Sequence, residues 1–335
     1  MTTSQVGDAQ DFDPVPADGG DEATHEVAGR SPTQLAFERF RKDKASMVAF
    51  SVVVLYVLAA ISAPILTHFG VLNPLTFHQA LLDANTLPIG RWGGITWQHP
   101  LGIEPGTGRD LLSRIWLGIS FSMLVALSSS LITMFIGVIL GIVAGFSRGW
   151  VDAIIGRLID LTLTFPQLLL ILALSSIGLD FVNQVMHVPA GTPTQAVYII
   201  SILGLFAWTG LARLVRGQVF SLREREFIDA ARVIGAGPFR MYFKEILPNL
   251  WAPIIVTFTL YFPVFVSAEA ALSYLGISIH PPTPTLGNIL TDSLNYAVPD
   301  FVYFFSPAFA IALIVVCFNL LGDGARDALD PKGRR

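Results

Sequence analysis

Charged residues and cysteine are both scarce in this chain of 335 residues. Only 14% of the residues are Asp, Glu, Lys or Arg, whereas soluble domains carry about a quarter. The one cysteine, Cys317, excludes an intrachain disulfide. Because 53% of the residues are hydrophobic and the mean hydropathy is +0.60, the composition indicates an integral membrane protein.

Motifs for catalysis, nucleotide binding and metal binding are missing as well. The glycine-rich stretches at 102–108 and 235–237 lack the lysine and hydroxyl ending of a phosphate loop. No serine-nucleophile motif occurs, and the 6 histidines include no i, i+4 pair and no cysteine companion. We therefore expect a chain that is not an enzyme, hydrolyses no ATP, holds no cofactor or metal and binds no nucleic acid.

Long apolar runs dominate the remainder of the chain. A helix needs about 20 apolar residues to cross the hydrocarbon core of a bilayer. Six runs that are free or nearly free of charge meet this length, and they lie at 45–66, 119–147, 161–179, 194–212, 246–268 and 301–322. The sequence therefore predicts an all-α membrane protein with six transmembrane helices.

Basic residues indicate the orientation, because Lys and Arg favour the cytoplasmic side of short loops. With the N-terminus inside, all of the 21 Lys and Arg residues except Arg91, Arg109 and Arg114 fall on the cytoplasmic side. Both termini and the segment 221–250 are thus predicted to be cytoplasmic.

Composition also divides the chain into regions. Residues 1–36 form an acidic cytoplasmic tail that we expect to be disordered. Residues 37–44 alternate aromatic and basic side chains, typical of an amphipathic helix at the headgroup surface or of a simple orientation anchor. The first span is followed by an extracytoplasmic loop at 67–118, a core with the other spans at 119–322 and a cytoplasmic tail at 323–335; no signal peptide is expected.

The segment 221–250 is polar and charge-dense. Its i, i+3, i+4 and i+7 spacings predict two short amphipathic helices. The expected apolar faces are Phe227, Ala230, Ala231 and Ile234 in the first helix, and Phe239, Tyr242, Phe243 and Ile246 in the second. Gly235 is expected to end the first helix in a left-handed conformation, Pro238 to start the second, and Pro248 to stop or kink it.

Asp229-Ala230-Ala231, Gly235 and Leu247-Pro248 together resemble the EAA signature of binding-protein-dependent ABC import permeases. Asp229 replaces the usual glutamate and keeps its charge, and Glu245 stands where an isoleucine is common.

Three further strings resemble the C-type permeases of the dipeptide, oligopeptide and nickel importers. They are HPLG at 99–102, GRDLLSRI at 108–115 and GDGARDALDP at 322–331. Ile103-Glu104 replaces the usual Thr-Asp, and Ala325 replaces a leucine. The resemblance covers nearly the whole chain except the acidic tail.

The resemblance implies the type I ABC importer permease fold and a subunit that forms half of a translocation pore for di- or oligopeptides in a bacterial cell membrane. It implies as partners a homologous permease, two cytosolic ATPases that bind ATP and magnesium, and an extracytoplasmic substrate-binding protein. By the same resemblance, the residues that couple the pore to the ATPases are Glu226, Asp229, Ala230, Ala231, Arg232, Gly235, Gly237, Leu247 and Pro248.

Candidates for the translocation path or an outer gate are Glu269, Arg109 and Asp110. The alternative for Glu269 is a buried, hydrogen-bonded residue at a helix end. For the segment 110–116, the alternative is a structural helix that steers the chain into the second span.

The third predicted span carries Arg157 and Asp160 near its cytoplasmic end. Because these residues are spaced i, i+3, we expect a structural ion pair between them. Pro166 is expected to kink the same span.

Other functions remain open at this point. The same family includes importers of nickel and other small solutes. A stand-alone secondary transporter would place acidic residues at the membrane midplane, and few are present. A non-transporting scaffold or sensor would carry an appended soluble domain or a long cytosolic helix, and neither is visible in the sequence.

Overall fold

The computed structural model describes residues 32–329, so the predicted disorder of residues 1–31 and the end of the C-terminal string lie outside the described residues. Within that range the chain folds into helices and loops. The helices are α1 (Pro32–Lys42), α2 (Lys44–His68), α3 (Leu111–Phe146), α4 (Trp150–Thr164), α5 (Gln167–Ala173), α6 (Ser175–Asp180), α7 (Thr192–Leu222), α8 (Glu226–Val233), α9 (Pro238–Arg240), α10 (Trp251–Tyr274), α11 (Leu286–Ser293) and α12 (Phe301–Leu329).

The start of α2 shows how local chemistry sets a boundary. Asp43 is the N-cap and accepts hydrogen bonds from the backbone N–H groups of Ala45 and Ser46. The Ser46 hydroxyl also donates to the Asp43 carboxylate and lowers its pKa.

The preceding helix α1 already begins at Pro32, so residues 32–36, which we expected to be disordered, are helical.

Six spans are obtained when one bent helix pair is taken as a single span. Among the described residues, α2, α3, α7, Pro238–Tyr274 and α12 are each long and apolar enough to cross a membrane. Helices α4 and α5 pass the same test together, but they are bent by 81°. The bend lies at Phe165 and Pro166, where the proline supplies no N–H to continue the helix, so the predicted kink is confirmed.

Helices α3 and α7 approach each other closely along a row of glycines. Gly137, Gly141 and Gly145 repeat every fourth residue and share one face of α3. A Cβ atom added to Gly141 would lie only 2.7 Å from Val215 Cβ, and the other two glycines meet α7 side chains at 2.9 and 2.7 Å. The facing α7 residues are Leu211, Val215 and Val219. Lipid tails are as apolar as the helices, so the hydrophobic effect does not bring spanning helices together. Small residues allow the close packing on which their association relies instead.

The loops form two caps at opposite ends of the helices. In one cap, the loop after α2 contacts the start of α12, where Tyr303 donates to Glu104 at 2.9 Å. In the other cap, α8 and the segment after it pack on the far ends of α3 and α7, as the edge contact between Phe146 and Tyr242 shows. We call these the outer cap and the coupling cap. Helix α1 contacts the last turns of α12, which places both ends of the described chain at the coupling cap.

We expect Gly141→Val to destabilise the protein by about 1–3 kcal/mol, because the added side chain would overlap Val215. Thermal unfolding of the purified protein in detergent measures this loss. The matched control is Gly217→Val on α7, since nothing lies within 4 Å of a Cβ added to Gly217. Equal melting temperatures for the two variants would contradict close packing at the glycine row.

Candidate functional site

Helix α8 ends with the turn that the sequence predicts. Gly235 has φ +78°, so the left-handed conformation expected for it is confirmed. The Gly235 N–H donates to the carbonyl of Arg232 at 2.9 Å, and the Ala236 N–H donates to Ala231 at 3.0 Å. These bonds satisfy carbonyls that the end of α8 leaves free, and they hold a sharp turn before Pro238.

The second half of the segment is continuous with a transmembrane span. Pro238 occupies the first turn of α9, as expected. The chain then runs through a π-helical turn at Met241–Ile246 and a 3-10 turn at Leu247–Leu250 directly into α10. Pro248 deforms the helix without ending it, and Pro238–Tyr274 forms one helical segment of 37 residues. Helix α9 is therefore connected to α10 without an intervening loop.

The inner face of the segment 226–250 packs on the rest of the chain. Its buried members are Ile228, Ala231, Met241, Ile246 and Leu250, which form a cluster with residues of α3 and α7. Ala231 was predicted to share one face with Phe227, Ala230 and Ile234. The structure separates them, because Ala231 turns inward while the other three are exposed.

The outer face of the same segment is apolar and uncovered in the isolated chain. Val233 is 87% exposed, Ile234 69% and Phe239 76%. Phe227 and Phe243 are also exposed, and the rings of Phe239 and Phe243 lie 4.6 Å apart. We call these five residues the coupling face. Exposed apolar patches of this kind mark protein or membrane contacts.

Charged residues surround the coupling face. Arg232 donates to Asp229 at 2.8 Å and lies over the ring of Phe146. Glu226 is exposed in the first turn of α8, where a negative charge is favourable to the helix dipole. Of the other predicted coupling residues, Ala230, Gly235, Gly237 and Pro248 are exposed and Leu247 is half-buried. The structure therefore leaves most of the predicted coupling residues exposed, whereas Ala231 is buried.

The outer cap is held together by Glu104, which the sequence analysis did not single out as a site residue. Glu104 is 1% exposed and accepts hydrogen bonds from Arg109 at 2.6 Å, Thr107 at 2.6 Å and Tyr303 at 2.9 Å. Arg114 Nε lies 3.1 Å from Glu104 Oε1, although its N–H is not aligned for a hydrogen bond. The glutamate thus joins the outer loop to α3 and α12.

Asp110 caps the helix that leads into the second span. Its carboxylate accepts the backbone N–H of Ser113 at 2.8 Å, and its other oxygen lies 2.8 Å from His99 Nδ1. Both Arg109 and Asp110 are 7% exposed. These contacts support the structural alternative for this segment rather than a gate.

Glu269 is fully buried at the junction of α3, α10 and the loop before α11. It accepts hydrogen bonds from the hydroxyls of Ser122 at 3.1 Å, Ser273 at 3.0 Å and Ser278 at 2.8 Å. Ser122 in turn accepts the backbone N–H of Leu286 at the start of α11. The geometry agrees with the buried, hydrogen-bonded alternative.

The predicted ion pair between Arg157 and Asp160 is wrong. Asp160 accepts from Arg213 of α7 at 2.8 Å, and no carboxylate among residues 32–329 pairs with Arg157. Arg213 reaches Asp160 because α4 and α7 pack side by side, a proximity that spacing along α4 does not reveal. Both side chains are more than half exposed, so the pair contributes little to stability.

Comparisons with known proteins agree with this geometry. Residues 137–335 match the family described as the binding-protein-dependent transport system inner membrane component. Residues 31–82 match the N-terminal TM domain of oligopeptide transport permease C.

Relatives of similar length align over nearly the whole chain. The oligopeptide transport system permease protein OppC of Bacillus subtilis is 33% identical over 97% of this chain and 97% of its own length. The dipeptide transport system permease protein DppC of Alkalihalophilus pseudofirmus is 36% identical over 90% of each chain. Among solved structures, the inward-facing methionine ABC transporter MetNI has a TM-score of 0.50 at 18% identity, covering 66% of this chain and 96% of that chain.

The spans define a multi-pass membrane protein. The chain belongs to the family of binding-protein-dependent ABC transport permeases. The predicted type I ABC importer permease fold is confirmed, as is the predicted location in a bacterial cell membrane. Family membership also shows that the chain is one component of a multi-component transport system.

We expect Glu269→Ala to lower the melting temperature, because three buried hydroxyls lose their acceptor. Each buried donor left unsatisfied costs about 1–3 kcal/mol. The control is Glu224→Ala, whose side chain is 68% exposed. If Glu269→Ala melts like the wild type but alters solute uptake, the gate interpretation is correct instead.

Proposed function

We propose that this chain is the transmembrane permease subunit of an ATP-driven importer of di- or oligopeptides, and that it forms half of the translocation pore. Peptides are the leading substrate class because the relatives described above are named as oligopeptide and dipeptide permeases. A nickel importer is not favoured, since these relatives are named as peptide permeases.

The observation that carries the proposal is the coupling face and its continuous helical connection to α10. An ATPase subunit with a complementary groove would cover Val233, Ile234 and Phe239, which are otherwise exposed to the cytoplasm. Ala230 lies on the same side and is small enough to permit close approach. Closure of the ATPases on ATP would then move α8 and α9 together with the spans attached to them, a rigid-body transition between two packings.

The remaining parts of the importer follow from this arrangement. The chain carries no phosphate loop, so ATP and magnesium would be bound by two cytosolic ATPase chains. A homologous permease would supply the other half of the pore, and an extracytoplasmic binding protein would deliver the peptide to the outer cap. In this scheme the subunit itself is not catalytic.

A cavity between the spans offers a surface to the half of the pore that this chain would form. It measures about 350 Å³ and lies among α5, α7 and α10. Its lining is mostly apolar, with Gln167, Thr209 and Tyr261 as the polar contributors. No charged residue lines it, so a peptide would meet a surface that does not hold it tightly.

We expect Ile234→Asp to reduce peptide uptake by the assembled importer at least about tenfold, a loss that corresponds to ~1.4 kcal/mol of coupling energy. The substitution places a charge on the face that an ATPase would bury, whereas the 69% exposed side chain makes the isolated permease tolerant of it. Uptake and peptide-stimulated ATPase activity in proteoliposomes are the measurements.

The matched control for this variant is Ile234→Leu, which keeps an apolar side chain of similar volume and should transport normally. Ala231→Arg provides a second comparison, since Ala231 is 5% exposed and its replacement should impair folding rather than coupling alone. Normal uptake and normal ATPase stimulation in Ile234→Asp would show that the coupling face does not contact the ATPases.

Reconstitution separates an ABC importer from a secondary transporter. We expect the chain alone to take up no peptide under a proton or sodium gradient, because an ABC permease needs ATPase subunits to change its conformation. With the homologous permease, the ATPases, the binding protein and ATP added, uptake should appear. Gradient-driven uptake by the chain alone would overturn the proposal.

A further inference from the structure

A second cavity lies in the outer cap, away from the coupling face and from the cavity between the spans. It measures about 320 Å³ and is formed by two loop segments, one before α3 and one before α12. Asp83 and Asp300 supply carboxylates to its lining. Apolar residues complete it, among them Trp92, Val298 and Phe301.

Asp300 is the unusual member of this lining. It is 4% exposed, and one carboxylate oxygen accepts the backbone N–H of Tyr303 at 3.1 Å at the start of α12. The other oxygen, Oδ2, is fully buried and has no hydrogen-bond donor among residues 32–329. Burial raises the pKa of Asp300, although backbone hydrogen bonds from Tyr303 and Val302 oppose this effect. A buried carboxylate oxygen without a donor is a costly arrangement that calls for a partner.

The backbone beside Asp300 is shaped to leave room for its carboxylate. Gly93 has φ +71°, and a Cβ on it would lie 2.7 and 2.9 Å from the two carboxylate oxygens. Any side chain at this position would therefore displace Asp300. Trp92 is 69% exposed and Val298 is 95% exposed, so the rim of the cavity is open to the surroundings.

The residues that line the cavity favour a basic side chain over a metal ion or a free peptide. Two carboxylates attract a cation, while an aromatic and aliphatic rim suits the apolar stem of a basic side chain and its cation–π contact. Two carboxylates are few for a metal ion, and no cluster of three metal-binding residues exists in the described part of the chain. No basic residue lines the cavity, so the carboxylate of a free peptide would find no complement.

We propose that the cavity formed by Asp83, Trp92, Val298 and Asp300 receives a lysine side chain of the extracytoplasmic binding protein when that protein docks on the outer cap. The ammonium group would be attracted by the negative charge of Asp300 and Asp83, the two carboxylates of the lining. The inference rests on the proposed function for the identity of the partner, but it assigns a particular pocket and a particular side-chain chemistry to the docking step.

The test measures the affinity of the binding protein for the assembled importer in nanodiscs, at low and high salt. Asp300→Asn keeps the oxygen that caps α12 but removes the charge, and we expect about tenfold weaker docking with a reduced salt dependence. Val298→Lys places a like charge at the rim on an exposed position, so it should weaken docking without affecting folding.

The matched control is Asp180→Asn, which removes an exposed carboxylate that does not line the cavity. Acetylating the lysines of the binding protein should reproduce the loss, whereas dimethylation, which retains the charge, should not. Wild-type affinity in both Asp300→Asn and Val298→Lys would overturn the proposal, as would equal weakening in Asp180→Asn. Binding of calcium or of dialanine to the permease that depends on Asp300 would also overturn it.

These outcomes are distinguishable from a failure of the proposed function. If the wild-type importer takes up peptide while the pocket variants dock normally, only the pocket assignment is wrong. If the wild-type assembly neither docks a binding protein nor takes up peptide, the proposed function itself is wrong.

Discussion

The close contact between α3 and α7 is the constraint on which the rest of the structure depends. Within a bilayer, apolar helices gain nothing from avoiding water, so their association relies on packing and on polar contacts. The glycines at 137, 141 and 145 remove side chains where α7 presents Leu211, Val215 and Val219, and the two backbones come together over several turns. Helix α3 begins in the outer cap, and α7 ends at the coupling cap. The contact between the two helices therefore fixes the position of one cap relative to the other.

The two caps differ in how their polar groups are satisfied. The outer cap is internally hydrogen-bonded, with Glu104 and Glu269 each accepting from three side chains, at least one of which lies on a distant segment. Buried charge of this kind is tolerated only when it is well paired, and its removal is costly. The coupling cap instead leaves an apolar face uncovered. Hydrogen bonds thus hold the outer cap together, whereas the coupling cap offers a surface for a partner.

Sequence patterns predicted the local features of the coupling segment well. The left-handed Gly235, the helix start at Pro238 and the break at Pro166 all depend on backbone chemistry within a few residues, and each occurs as expected. The division of apolar side chains between the inner and outer faces was not predicted correctly. Ala231 and Ile234 share a helical spacing, yet only contact with α3 and α7 decides which of them is buried.

Polar contacts between side chains far apart in the sequence could not be predicted from the sequence for a related reason. Asp160 pairs with Arg213 across more than fifty positions, and Glu104 pairs with Tyr303 across nearly two hundred, so no local spacing signals either contact. The repeat of glycines at every fourth residue was the one available signal for the α3–α7 contact.

By itself, the sequence determined the class of protein, and it predicted six spans, the number that the structure gives when α4 and α5 are taken as one span. These properties follow from composition, from apolar run length and from motifs that act over single turns of helix. Only the tertiary structure showed that Glu269, Arg109 and Asp110 are buried and hydrogen-bonded, that an apolar face on α8 and α9 is exposed in the isolated chain, and that Asp300 lines a pocket with one carboxylate oxygen unpaired among the described residues. Burial and pairing are set by distant helices, whose relative positions one-dimensional patterns do not encode.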